Sequence, residues 1–85
     1  MQNDPRSRIL LLLQLLLKQT DEHHYATGAD ILRFWETHGI QTTRKNVYSD
    51  IQLLMDFGLD IICIKSTQNR YFIGSRLLEL PELKL

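Results

Sequence analysis

Gln41-Thr-Thr-Arg-Lys-Asn-Val-Tyr-Ser-Asp-Ile-Gln-Leu-Leu-Met-Asp-Phe-Gly58 is the stretch that decides how this chain is read. At about 100° per residue, Val47, Ile51 and Leu54 fall on one stripe of a helix, and Lys45, Ser49, Gln52 and Asp56 fall on the opposite one. Thr42 or Thr43 can cap the start with a side-chain oxygen, and Gly58 can take the left-handed conformation that ends it. Residues 43–57 are therefore predicted to form an amphipathic helix. Its polar stripe offers ammonium, hydroxyl and amide groups, which suit the hydrogen-bonding edges of bases in a major groove.

Downstream, Leu59-Asp-Ile-Ile-Cys-Ile-Lys65 and Arg70-Tyr-Phe-Ile73 flank the polar turn Ser66-Thr-Gln-Asn69. β-branched and aromatic residues favour paired strands, and the spacing suits a hairpin, although no Asn-Gly pair fixes the turn type. Upstream, Asn3 or Asp4 caps a first helix that has Pro5 in its first turn and runs through residues 8–18. The leucines of that helix point in nearly every direction, so more than one surface must cover them, and a second subunit is one candidate. Tyr25 and Ala26 suit a very short strand. Thr27 then caps a second helix, with Asp30 three residues later as in a capping box. Ile31, Leu32, Phe34 and Trp35 give that helix its apolar face, and His38-Gly39 ends it. Helix, helix, helix, hairpin is the order of a winged helix-turn-helix. The expected fold is mainly α with a small β hairpin, three helices plus a two-stranded wing at 59–73. The domain is expected to span 1–76, with 77–85 a linker or interface tail.

The chain has 85 residues and equal numbers of acidic and basic side chains, for a formal charge of zero. A domain of this size buries only about 60 to 65 % of the surface its unfolded chain exposes, so the core is small. The apolar run at 9–17 is interrupted by Gln14 and is far shorter than the roughly 18 to 20 residues of a membrane span. No basic leader with a small-residue cleavage site is seen, and the single cysteine, Cys63, has no partner for an internal disulfide, so a cytoplasmic, reducing setting is expected. DNA affinity rests largely on neutralised phosphates, which makes the distribution of charge matter more than its sum. Between residues 37 and 76, Arg44, Lys45, Lys65, Arg70 and Arg76 outnumber Asp50, Asp56 and Asp60.

Thr42-Thr-Arg-Lys-Asn-Val-Tyr-Ser-Asp-Ile-Gln-Leu-Leu54, Gly58-Leu-Asp-Ile61, Asn69-Arg-Tyr-Phe-Ile73 and Glu79-Leu-Pro-Glu-Leu-Lys-Leu85 together resemble the N-terminal winged-helix domain of bacterial WYL-domain transcriptional regulators, often labelled DeoR-like. The resemblance covers nearly the whole chain, and its most specific part is the Val-Tyr-x-Asp-Ile core followed by the short hairpin and the Leu-Pro-Glu-Leu tail. It implies a bacterial DNA-binding regulator that is usually dimeric and carries a C-terminal ligand-sensing domain. That second domain is not in this chain, which is expected to be a fragment or an unusually short relative; the effector stays unassigned. Ser49 stands where such proteins commonly carry arginine, which weakens the contact expected there.

The residues expected to touch double-stranded DNA are Thr43, Arg44, Lys45, Asn46, Tyr48, Ser49 and Gln52 on the helix, and Lys65, Ser66, Gln68, Asn69 and Arg70 on the wing. Lysine reaches guanine acceptors and glutamine pairs with adenine edges, whereas Arg44 or Thr43 at the helix start suits a phosphate. Tyr48 either projects or buries its ring. Arg6 and Arg8 either touch the DNA backbone or serve as solubility charges. Any solvated helix face or polar turn offers the same groups, so the alternative reading is a winged-helix protein-interaction or dimerisation module without DNA affinity. Asp50 falls toward the buried side and needs a partner there, such as an arginine or a helix-end N–H. His23, His24 and His38 lack paired metal-ligand spacing, and no nucleophile–base–orienter set or phosphate-cradling glycine loop is present. No metal, cofactor or enzymatic activity is therefore expected.

Overall fold

The computed structural model of the chain describes residues 4–74, so Asn3, Arg76 and the tail at 77–85 lie outside the described residues. In chain order the elements are α1 (Pro5–Gln19), β1 (Ala26–Thr27), α2 (Gly28–Thr37), α3 (Arg44–Phe57), β2 (Ile61–Ile64) and β3 (Arg70–Ile73). Three helices with a small antiparallel sheet make a mainly α domain of winged-helix architecture.

Local chemistry accounts for the ends of the helices. Asp4 accepts the N–H of Arg6 at 3.1 Å, and Pro5 occupies the first turn, where its missing N–H costs nothing. At α2 the Thr27 hydroxyl accepts the Asp30 N–H at 3.1 Å, and the Asp30 carboxylate accepts the Thr27 N–H at 3.0 Å. This is the capping box expected from the sequence. The Thr27 N–H is also the main reason that the Asp30 carboxyl sits below its ordinary value, with Arg33 at 3.0 Å adding to it. Gly39 has φ 82° and Gly58 φ 120°, a region that side chains avoid, so glycine permits both exits. At the start of α3 the expectation of a threonine cap is corrected. Thr43 holds the N-cap position without a side-chain cap hydrogen bond, and the Thr42 hydroxyl instead accepts from the Asn46 amide.

The wing is more than a hairpin. Ile61 pairs with Ile73 and Ile64 with Arg70, while β1 adds to the other side of β3 through Ala26 with Tyr71 and Thr27 with Arg70. The sheet therefore has three strands in the order β1-β3-β2. The short strand near Tyr25 and Ala26 was legible, displaced by one residue; its partner was not. Thr20 completes β3 where β1 stops: its hydroxyl donates to the Leu16 carbonyl at 2.7 Å and accepts the Ile73 N–H at 3.1 Å.

Trp35, Leu12, Leu16, Ile31 and Val47 are fully buried at the centre of the core, with Ile51, Leu54, Tyr71 and Ile73 around them. Ile9, Leu11, Leu13 and Leu17 pack against this cluster, so α2 and the sheet cover much of the apolar surface of α1 and leave Leu10 the most open, at 64 %. Arg8 is turned inward, contrary to both roles considered for it, a contact to the DNA backbone and a solubility charge. Its Nε and Nη2 donate to the two Asp50 oxygens at 2.6 and 3.1 Å, and its guanidinium lies 5.9 Å from the Trp35 ring centroid. Trp35 Nε1–H in turn donates to the Arg8 carbonyl at 2.9 Å. A buried carboxylate is costly without a partner, and this one is held by a two-pronged donor. Among the described residues no buried side-chain N or O lacks a hydrogen bond. Among them, too, no helix is long and apolar enough to cross a membrane.

Candidate nucleic-acid interface

Burial of Val47, Asp50, Ile51 and Leu54 turns the opposite side of α3 outward. Thr43, Arg44, Lys45, Tyr48, Ser49 and Gln52 are exposed there, and Asn46 is half-buried. Lys45, Ser49 and Gln52 thus form an open polar stripe on the helix surface. Ser49 donates its hydroxyl to the Asn46 carbonyl at 3.3 Å, which leaves its oxygen turned along the helix. Gln52 donates one amide hydrogen to Asp56 at 2.9 Å. Both contacts are solvent-exposed and exchange readily with other partners. Tyr48 projects, with 49 % of its surface open, so its ring is not part of the core.

The hairpin brings a second set of groups beside this stripe. Alternation along β2 and β3 turns Cys63 and Tyr71 toward α3, and a shallow recess between helix and hairpin is lined by Tyr48, Gln52, Met55, Lys65, Asn69 and Tyr71. Lys65, Ser66 and Gln68 are exposed in the turn, where the Ser66 hydroxyl donates to the Gln68 carbonyl at 2.8 Å. Asn69 is half-buried and lines the recess beside Tyr71. Burial pushes the Tyr71 phenol above its ordinary value, with the Asn69 side chain pulling the other way.

Arg70 does not join this group. It lies one residue from buried Tyr71, hence on the other face of the sheet, with its guanidinium 5.7 Å from the ring centroid of Tyr25. Tyr25 in turn meets Phe72 at 5.5 Å between centroids. Arg70 therefore sits against an aromatic patch on the other face of the wing sheet, away from the recess. Arg6, at the start of α1, is exposed beside Asp4 at 3.6 Å. Charge near the stripe is locally positive. Arg44, Lys45 and Lys65 are open, Asp56 and Asp60 oppose them, and Asp50 is already engaged by Arg8.

Cys63 is half-buried. The histidines are engaged locally: His24 Nδ1 lies 2.9 Å from Asp21 Oδ1, and His38 Nδ1 lies 3.0 Å from the Phe34 carbonyl oxygen. The hydrogen bond from His24, then the N–H of His23, hold the Asp21 carboxyl below its ordinary value. Among the described residues no cluster of three His, Cys, Asp or Glu is placed to hold a metal ion. The feature that sequence reasoning missed is the identity of Asp50's partner, which lies 42 residues away in the chain. No protein-family model, curated protein or solved structure matches this chain.

Proposed function

We propose that this domain binds double-stranded DNA as part of a bacterial, cytoplasmic transcription regulator of the WYL-domain, DeoR-like kind that its sequence resembles. In this reading α3 enters the major groove, the turn between β2 and β3 lies on the flanking backbone, and two copies read spaced half-sites. The observation that carries it is the solvent-open stripe of Lys45, Ser49 and Gln52, with Arg44 at the helix start and Lys65 beside it on the wing. Side chains that read base edges must project from a rigid element without serving its own core. These do.

Selection of bound duplexes from a random pool, followed by titration at low salt, tests the proposal. Enrichment of a defined sequence is expected, and log K should fall with log salt at roughly 0.9 per phosphate neutralised. Absence of binding to every duplex at low salt would sink it. The competing reading is a protein-interaction module, favoured by Leu53 and Phe57 on α3 and Ile62 and Ile64 on β2, all of which are exposed. Light scattering that finds dimers, together with no duplex shift, would select that reading instead.

A further inference from the structure

The strongest unassigned feature is the contact of three helices around Arg8. Val47, Ile51 and Leu54 hold α3 to the core by apolar burial, which is non-directional and resists rolling of a helix weakly. The Arg8–Asp50 fork is different. Two parallel donors of a planar guanidinium meet two carboxylate oxygens, which fixes orientation as well as distance. The guanidinium carbon also lies 5.9 Å from the Trp35 ring centroid, and the Trp35 Nε1–H ties that ring back to the Arg8 carbonyl. One group from each helix takes part: Arg8 from α1, Trp35 from α2 and Asp50 from α3.

We infer that Arg8 is a positioning residue for the reading face, setting the roll of α3 about its own axis and thereby the direction in which Lys45, Ser49 and Gln52 point. Asp50 sits at the edge of the buried stripe of α3, where a fixed contact best opposes rotation. A roll of about 20° moves a tip at a helix radius of about 5 to 6 Å by about 2 Å. That takes a side chain out of hydrogen-bond reach of a base edge while leaving apolar burial nearly unchanged. The importance of this for DNA rests on the function proposed above; the roll itself does not.

Two variants of the full chain test the inference. Replacing the pair together, Arg8→Met with Asp50→Leu, leaves no unpaired buried charge and is expected to fold. Arg8→Lys keeps the charge but replaces the fork by a point donor. The first readout is the set of backbone N–H residual dipolar couplings of the free protein. In the double variant, the couplings of α3 are expected to leave the common frame of α1 and α2. The second readout is the affinity ratio between a selected and a scrambled duplex. About a tenfold loss of that ratio is expected in both variants, with the salt slope unchanged because the phosphate contacts are. Couplings that still fit one frame, or a ratio equal to the parent's, overturn the inference. If the parent protein discriminates between no duplexes, the functional reading fails, and the couplings still decide whether Arg8 sets the roll.

Discussion

Thr20→Val removes one hydroxyl and almost no volume, so its effect isolates the bond that joins α1 to the sheet. The Thr20 oxygen is the partner of the buried Ile73 N–H, at 3.1 Å, because β1 ends at Ala26–Thr27 and gives Ile73 nothing to pair with. Valine leaves that N–H without an acceptor, at a cost of about 1 to 3 kcal/mol. The Leu16 carbonyl keeps the backbone bond from the Thr20 N–H at 3.3 Å, so it loses less. Exchanging a hydroxyl for a methyl in a site only 1 % exposed returns about 0.8 kcal/mol of burial. A net loss of about 0.2 to 2 kcal/mol follows, and at about 4 to 8 °C per kcal/mol for a domain of this size the midpoint falls by about 1 to 16 °C. Circular-dichroism melting and urea titration measure it. The urea m-value should not change, since the same surface is exposed on unfolding. Thr20→Ser keeps both hydrogen bonds and loses only a methyl, so it should cost about 1 kcal/mol. A valine variant as stable as the parent would refute the reasoning, because the Ile73 N–H would then have another partner.

Thr27→Ala should cost about 1 kcal/mol in urea titration, since it removes the acceptor for the Asp30 N–H from the α2 cap. Asp30 has a folded pKa below its ordinary 3.8, so its contribution to stability is complete above that value and is lost as pH falls through the folded pKa. Stability curves against pH should therefore fall less steeply in acid for Asp30→Asn than for the parent. Gly39→Ala meets open space but must hold φ near 82°, so a loss of about 1 to 2 kcal/mol from backbone strain alone is expected by melting. For DNA, Lys45→Ala or Gln52→Ala should relax base preference, by about 1 to 3 kcal/mol where the contact is bidentate, whereas Lys65→Ala should weaken all duplexes alike. Competition titrations against single-base variants of a selected site separate the two patterns.

Periodicity and most capping chemistry are local and legible in the sequence, the uncapped start of α3 at Thr43 being the exception. Thr27 with Asp30, the glycines at 39 and 58, and the apolar stripe Val47–Ile51–Leu54 each act within a few residues, and each element they delimit is present. What depended on a distant partner was not legible. The sequence marks Asp50 as a carboxylate on a buried face, yet nothing local distinguishes Arg8 from Arg6 as its partner; only the way α1 and α3 are both seated against α2 does, and it leaves Arg6 in solvent. The same holds for Arg70. Its position after a polar turn suggested a wing-tip contact, but the two-residue strand β1 extends pairing to that position and strand alternation turns the side chain onto Tyr25. Arg70 stays exposed and keeps its charge, so it adds to the positive field of the domain. In the function proposed above, base contacts would come from α3 and the turn at 65–69, between which buried Ile51 and Tyr71 lie. That is why the candidate contact residues can be chosen by type from the sequence, while their direction depends on core residues that never meet a ligand.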